Sequence, residues 1–169
     1  MKDSLLPDEL VNKAREVVEA NRKLGRRIAV AESCTGGLVS AALTEIAGSS
    51  DVFEAGYVTY SNAAKLSQLK VSEEVVETFG AVSVATAWAM ARGALAASDA
   101  DVAVAITGIA GPSGGTPQKP VGTVAIAVQT DDDARVRTFQ FIGGRDMVKF
   151  QASQAALNMV RLMLTAAGR

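Results

Sequence analysis

The sequence predicts an α/β fold in which helices pack in layers against a mixed β-sheet. Short apolar segments that resemble buried strands alternate with helical segments over most of the chain. Near the C-terminus, two strand-like segments, Val124–Val128 and Val136–Phe141, flank the turn residues 131–133. Two strands joined by so short a connection predict an antiparallel hairpin, whereas strands separated by helices predict parallel pairing.

The first half of the chain supplies two strands and the helices around them. Residues 27–31 and 52–60 are rich in apolar and β-branched residues, which is typical of strands. Residues 32–37 lead into a helix that ends near Ile46. The first helix is predicted from apolar residues at helical spacing, with Ser4 as its cap, Pro7 in its first turn and Gly25 as its end: Leu6, Leu10, Val11, Ala14, Val17 and Val18.

Capping residues place the remaining helices. Asn62 is the expected N-cap of a short helix that carries Lys65, and Ser72 is the expected start of a helix that Gly80 ends. Ser83 is the expected cap of an alanine-rich helix, residues 84–97. Residues 102–107 then predict a buried strand, residues 108–121 a loop, and residues 146–166 the last helix.

Length and composition predict one domain that spans residues 1–169. Hydrophobic residues make up 49% of the chain and charged residues 21%, which is enough apolar material for a packed core. The formal net charge of −1 gives no support for a nucleic-acid partner. No apolar run is long enough for a signal peptide or a membrane span, so we expect a cytoplasmic protein with no membrane partner.

The chain contains no histidine and a single cysteine, Cys34. Histidine-dependent triads, imidazole bases and multi-thiolate metal sites are therefore excluded. Any catalyst here depends on hydroxyls, amines, carboxylates and backbone amides, and we expect neither a metal nor a cofactor. Cys34 itself is expected to be a small, partly buried side chain without a partner that activates it.

The segment Ser33-Cys34-Thr35-Gly36-Gly37 lies where a predicted strand meets a helix. Such a junction presents unpaired backbone amides and the positive end of the helix dipole. Its hydroxyls and glycines suit a phosphate cradle or a nucleophile beside an oxyanion hole. They equally suit an ordinary helix start, with Ser33 or Thr35 as the N-cap.

A second candidate is Lys65, in the first turn of its predicted helix, together with Tyr60 at the preceding strand end. The helix dipole and partial burial both lower the pKa of an amine in that position. A neutral lysine beside a tyrosine hydroxyl can activate a serine when no imidazole is present. The alternative is an exposed lysine and a half-buried tyrosine.

Two glycine-rich segments are candidates for substrate binding. The loop at residues 108–121 follows a buried strand and carries Lys119, which suits a ribose-phosphate, although a flexible crossover has the same composition. Before the last helix, Arg145 suits a phosphate or a carboxylate. Alternatively, Asp146 caps the helix and Arg145 is its solvated neighbour.

Several ordered motifs together resemble the CinA C-terminal domain family, from about Leu10 to Leu164. The matching blocks are Ala31-Glu32-Ser33-Cys34-Thr35-Gly36-Gly37, Gly48-Ser49-Ser50, Val58-Thr59-Tyr60-Ser61-Asn62 with Lys65, Gly80-Ala81-Val82-Ser83, Thr107-Gly108-Ile109-Ala110-Gly111-Pro112 and Lys119-Pro120-Val121-Gly122-Thr123. The resemblance implies a three-layer α/β/α fold and self-association as a dimer or trimer. Some family members carry an N-terminal molybdopterin-binding-like domain, and this chain resembles the stand-alone form.

The family is associated with deamidation of nicotinamide mononucleotide to nicotinate mononucleotide and ammonia. The resemblance implies catalysis by Ser33, Tyr60 and Lys65, with the proton of Ser33 passing to Lys65 directly or through Tyr60. The expected oxyanion and substrate-binding residues are Thr35, Gly36, Gly37, Thr107, Gly108, Ile109, Ala110, Gly111 and Arg145. The alternatives are a non-catalytic nucleotide-binding module and an amidase for another small amide.

Overall fold

A computed structural model describes residues 4–167, and its core is a mixed five-stranded sheet. The strands are β1 (Ile28–Glu32), β2 (Phe53–Val58), β3 (Val102–Gly108), β4 (Thr123–Thr130) and β5 (Ala134–Gln140). They lie in the order β2-β1-β3-β4-β5. β1 pairs in parallel with β2 and β3, whereas β4 is antiparallel to both β3 and β5. The mixed sheet and the late hairpin are therefore confirmed.

Helices cover both faces of the sheet. They are α1 (Asp8–Leu24), α2 (Leu38–Thr44), α3 (Asn62–Leu69), α4 (Glu73–Phe79), α5 (Val84–Ala97) and α6 (Arg145–Ala167), with a short 3-10 turn at Ser49–Asp51. α1, α2 and α6 share one hydrophobic core with the sheet, and α3 and α5 share a second core with its other face. The three-layer α/β/α arrangement is thus present.

The alternation of side-chain size along the central strands separates the two cores. In β1, Ile28 and Val30 point to the α1/α6 side, whereas Ala29 and Ala31 point to the α5 side. β3 and β4 repeat this pattern, because successive side chains of a strand point to opposite faces. The small alanines leave room for α5 to lie close to the sheet. The high alanine content of the chain therefore has a structural use on one face.

Most of the predicted helix boundaries are confirmed. Ser72 and Ser83 accept hydrogen bonds from the backbone amides of Val75 and Thr86, as N-caps do, and α1 ends at Gly25. No helix within residues 4–167 is both long and apolar enough to cross a membrane.

Two predicted caps are wrong. α3 begins at Asn62, and its N-cap is Ser61, whose Oγ accepts the amide of Ala64 at 3.0 Å. The short serine side chain reaches the third helical amide from the cap position, so Asn62 is left as the first helical residue. At α1, Pro7 occupies the cap position, and Ser4 instead accepts a hydrogen bond from the amide of Leu6.

Gly93 in α5 lies against the C-terminal end of α3. A Cβ atom at this position would collide with the backbone carbonyl of Leu69, the last residue of α3. We therefore expect Gly93→Ala to lower the free energy of unfolding by about 1–3 kcal/mol in urea denaturation, since the backbone must shift. At an unobstructed helical position the same change is stabilising by about 1 kcal/mol, and that result would contradict the packing described here.

Candidate active site

The carboxyl ends of β1, β2 and β3 meet at one edge of the sheet, because these three strands are parallel. The backbone continues this pairing beyond the strands. The amide of Ser33 donates to the carbonyl of Ile106 at 2.9 Å, and the amide of Thr59 donates to the carbonyl of Glu32 at 2.9 Å. Ser33 is thereby fixed between the ends of β2 and β3.

A cavity of about 270 Å³ opens at this edge of the sheet. It is lined by nine of the residues that the sequence singled out: Ser33, Tyr60, Lys65, Thr107, Gly108, Ile109, Ala110, Gly111 and Arg145. Three residues expected at the oxyanion site, Thr35, Gly36 and Gly37, are not among the residues that line the cavity. The cavity therefore brings the three expected catalytic residues together, whereas Thr35, Gly36 and Gly37 lie outside its lining.

Ser33 and Lys65 are in direct contact. The Nζ atom of Lys65 lies 3.1 Å from the Oγ atom of Ser33, and no phenol stands between them. Lys65 is only 1% exposed, although it lies in the first turn of α3, and Ser33 is also buried. Of the two predicted proton routes, the structure favours the direct one.

The surroundings of Lys65 favour an uncharged amine. Burial lowers the pKa of Lys65 below its ordinary value, and the nearby Cys34 opposes this only in a secondary way. Its polar contacts are the hydroxyl of Ser33 and the carbonyls of Thr59 and Tyr60, at 2.9 and 3.3 Å. These three oxygens can accept the three hydrogens of an ammonium, so it is burial that favours the neutral form. The neutral amine can bond the two carbonyls with its two hydrogens and turn its lone pair to the serine hydroxyl.

Tyr60 does not occupy the position expected for a proton relay. Its backbone carbonyl, rather than its phenol, contacts Lys65 and Ser33. Its side chain is 57% exposed at the cavity, and its hydroxyl accepts a hydrogen bond from Nη2 of Arg145 at 2.9 Å. The expectation that Tyr60 passes the proton of Ser33 to Lys65 is therefore not met by this geometry.

Arg145 connects the cavity rim to the glycine-rich loop. Its Nη1 atom donates to the carbonyl of Gly111 at 2.7 Å, while Nη2 bonds the phenol of Tyr60. α6 begins at Arg145, so Asp146 lies in the first turn and is not its N-cap. Arg145 is exposed, as the alternative reading expected, but its guanidinium is also hydrogen-bonded at the cavity.

The loop after β3 forms one wall of the cavity. A Cβ atom on Gly108 would lie 2.6 Å from a methyl group of Val124 and 3.0 Å from Sγ of Cys34, so only glycine fits there. The Thr107 hydroxyl is buried and donates to the carbonyl of Ala81 at 2.7 Å. Lys119 points elsewhere, since its Nζ atom donates to the carbonyl of Phe79, and it does not line the cavity.

Cys34 is buried beside Ser33 and Lys65. Burial raises the pKa of its thiol to about 12, with a smaller contribution from the negative charge of Glu32. A thiol in this state is protonated at neutral pH and is a poor nucleophile. The prediction of a small side chain that no partner activates agrees with this environment, although Cys34 is buried and not partly buried.

Glu32 is the site residue that the sequence analysis missed. It is fully buried, and its carboxylate accepts the hydroxyl of Thr35 and the amides of Val39 and Ser40 at the start of α2. Neither Ser33 nor Thr35 caps α2, whose N-cap is Gly37. The expectation of a phosphate cradle at this helix start is wrong, because a carboxylate already occupies it.

The amide of Gly36 is also engaged within the protein. It donates to the carbonyl of Ser33 at 3.0 Å in a tight turn. It is therefore not free to stabilise an oxyanion, which corrects the role expected for it.

The sequence contained one indication of the role of Glu32. An acidic residue directly after a predicted buried apolar strand is costly to bury unless it has hydrogen-bond partners.

The charge at the cavity is positive. Arg145 lines it, Lys65 adds a second positive charge when it accepts a proton, and none of the described residues that form its walls is acidic. Together with the buried serine hydroxyl, this arrangement suits nucleophilic attack on a substrate that carries negative charge. These features define an α/β protein with a serine–lysine pair at the carboxyl edge of a three-layer fold.

Comparison with known proteins agrees with this description. The family model for the CinA C-terminal domain matches residues 11–164. The competence/damage inducible protein CihA from Agrobacterium tumefaciens has a solved structure that superposes with a TM-score of 0.92 and 44% identity, covering 96% of this chain and 99% of that one. A CinA superfamily protein from Escherichia coli superposes with a TM-score of 0.87 and 34% identity, covering 97% and 95%.

Curated sequences extend the match. A CinA-like protein from Syntrophobacter fumaroxidans is 51% identical over 158 residues, which are 94% of this chain and 37% of that protein. Another, from Geotalea daltonii, is 50% identical over 86% of this chain and 35% of its own length. The chain thus spans about a third of the length of these relatives. It belongs to the CinA C-terminal domain family.

Proposed function

We propose that this protein is an amidohydrolase that converts nicotinamide mononucleotide and water into nicotinate mononucleotide and ammonia. The observation that carries the proposal is the direct 3.1 Å contact between Nζ of Lys65 and Oγ of Ser33 inside a cavity. The identity of the amide follows from the resemblance to the family and from the charge of the cavity walls.

The first half of the reaction forms an acyl-enzyme. Oγ of Ser33 attacks the carboxamide carbon while its proton passes to the neutral amine of Lys65. The resulting tetrahedral anion develops in a cavity whose charged walls are cationic, which stabilises it. The C–N bond then breaks, and the Lys65 ammonium returns the proton to the departing nitrogen, which leaves as ammonia.

The second half regenerates the enzyme. A water molecule attacks the ester carbon, and Lys65 accepts its proton. When the C–O bond to Ser33 breaks, the proton passes from Lys65 to Oγ. The carboxylic acid that forms loses its remaining proton to solvent and is released as the carboxylate. Lys65 therefore alternates between base and acid, which requires that both of its protonation states be accessible near the working pH.

Arg145 supports the recognition of a phosphorylated substrate. Two of its five donors bond Gly111 and Tyr60, so its fork is already oriented, and further N–H groups remain for an anion. The α2 start cannot take the phosphate, since Glu32 occupies it. In the proposed complex, Arg145 contacts the phosphate while the carboxamide lies at Ser33.

Replacement of the nucleophile tests the reaction directly. We expect Ser33→Ala to lower ammonia release from nicotinamide mononucleotide by about a thousandfold or more, because no acyl-enzyme can form. The matched control is Ser67→Ala, on the exposed side of α3, which should retain full activity.

The same experiment separates catalysis from mere binding. If the wild-type protein binds the mononucleotide but releases no ammonia, the chain is a nucleotide-binding module. Activity of Ser33→Ala within about tenfold of the wild type would exclude Ser33 as the nucleophile.

The phosphate contact makes a prediction about substrate preference. For wild type we expect kcat/KM to be higher for the mononucleotide than for the riboside or free nicotinamide. Arg145→Met should remove about tenfold or more of the preference for the mononucleotide over the riboside, since a charge-assisted contact is lost. The control is Arg135→Met on the exposed β5. An unchanged preference in Arg145→Met would exclude a phosphate contact by this residue.

A further inference from the structure

Glu32 carries a carboxylate that the proposed reaction does not use. The residue is the last of β1, directly before Ser33, and it is completely buried. Its Oε1 atom accepts the hydroxyl of Thr35 at 2.7 Å and the amide of Val39 at 2.9 Å. Its Oε2 atom accepts the hydroxyl of Ser40 at 2.8 Å and the amide of Ser40 at 3.1 Å. Four donors therefore converge on one buried charge.

These contacts replace a cap that α2 lacks. The N-cap position is Gly37, which has a φ of 101° and no side chain to offer. Val39 and Ser40 are the second and third residues of the helix, whose amides an N-cap side chain would ordinarily satisfy. Glu32 satisfies both from the end of β1, so the strand and the helix are joined through one carboxylate.

Hydrogen bonds of Glu32 hold the chain on both sides of Ser33, the proposed nucleophile. On one side of Ser33, the backbone carbonyl of Glu32 accepts the amide of Thr59, the residue whose own carbonyl holds Lys65. On the other side, the carboxylate of Glu32 holds Thr35. The turn that carries Ser33 is thus attached at both ends, and one attachment leads to the amine that must receive the proton.

Glu32 does not contact the reacting groups. It does not line the cavity, and the side-chain contacts of Lys65 are with a hydroxyl and two carbonyls rather than with this carboxylate. The negative charge is directed at the helix start, so it does not form an ion pair that would keep Lys65 protonated.

We propose that Glu32 is a positioning residue that fixes the Oγ atom of Ser33 within reach of Lys65 by joining β1 to the start of α2. This inference rests on the proposed function, because it assigns Glu32 a role only if Ser33 is the nucleophile. Small misplacements of a nucleophile are costly, so the loss of this joint should lower the rate of the chemical step more than it weakens substrate binding.

The test is Glu32→Gln, which keeps the size of the side chain. One oxygen becomes an NH₂ group, and in either orientation that group faces two donors. We expect kcat to fall by about tenfold or more while KM changes by less than about threefold. The pH at which kcat/KM rises should remain that of the wild type, because Glu32 takes no part in the proton transfer. The control is Glu45→Gln, exposed at the other end of α2.

A second readout does not depend on the amide substrate. Reaction of Ser33 with a fluorophosphonate, followed by intact-mass spectrometry, measures the reactivity of its hydroxyl alone. We expect slower labelling of Glu32→Gln than of the wild type. If Glu32→Gln does not fold, Ser40→Ala removes one of the four donors and should give a smaller decrease in kcat and in labelling.

The outcomes separate this inference from the proposed function. If wild-type Ser33 is not labelled and no ammonia is released, the nucleophile is misassigned and the proposed function fails. If the wild type is active and labelled, and folded Glu32→Gln has the same kcat and the same labelling rate, the positioning role is overturned. If Glu32→Gln does not fold, an unchanged kcat and labelling rate in Ser40→Ala overturn it. A loss of the rise with pH in Glu32→Gln would also overturn it, by making Glu32 a proton carrier.

Discussion

The site depends on the burial of one amine without a carboxylate partner. Lys65 lies in the first turn of α3, where the helix dipole disfavours a cation, and its side chain is almost entirely withdrawn from solvent. Its contacts are neutral oxygens, two of them carbonyls that fix the amine's hydrogens. In a chain without histidine, desolvation favours the neutral amine that the proposed reaction needs as its base.

Lys65 lacks a carboxylate partner because the nearby carboxylate of Glu32 has other contacts. Glu32 is only one residue away from Ser33, and a buried carboxylate so close could have paired with Lys65 and kept it protonated. Instead the carboxylate is occupied by the start of α2 and by two hydroxyls. In the proposed reaction these two groups serve separate purposes: Glu32 organises the turn, and Lys65 transfers protons.

Much of the fold and site could be predicted because they rest on local pattern. Apolar strand-like segments that alternate with helical segments, together with serine caps, identify the elements. Parallel pairing then places Ser33, Tyr60 and Thr107 at one edge of the sheet. What could not be predicted depends on distances between elements: the phenol of Tyr60 bonds Arg145, 85 positions away, and Glu32 reaches α2 from β1. Glycine at the cap of α2 gave no sign that a carboxylate elsewhere replaces its side chain.

The protonation of Lys65 can be measured directly by NMR titration of protein labelled with ¹³C and ¹⁵N in lysine, using the correlation of Nζ with Cε. The Lys65 signal is assigned as the one absent from Lys65→Met. We expect this amine to lose its proton at a pH clearly below the ~10.4 of a free lysine, so that the neutral form needed for attack increases as the pH rises. A Lys65 that titrates at or above that value would contradict the account, because the amine would then be a buried cation unable to accept the proton of Ser33.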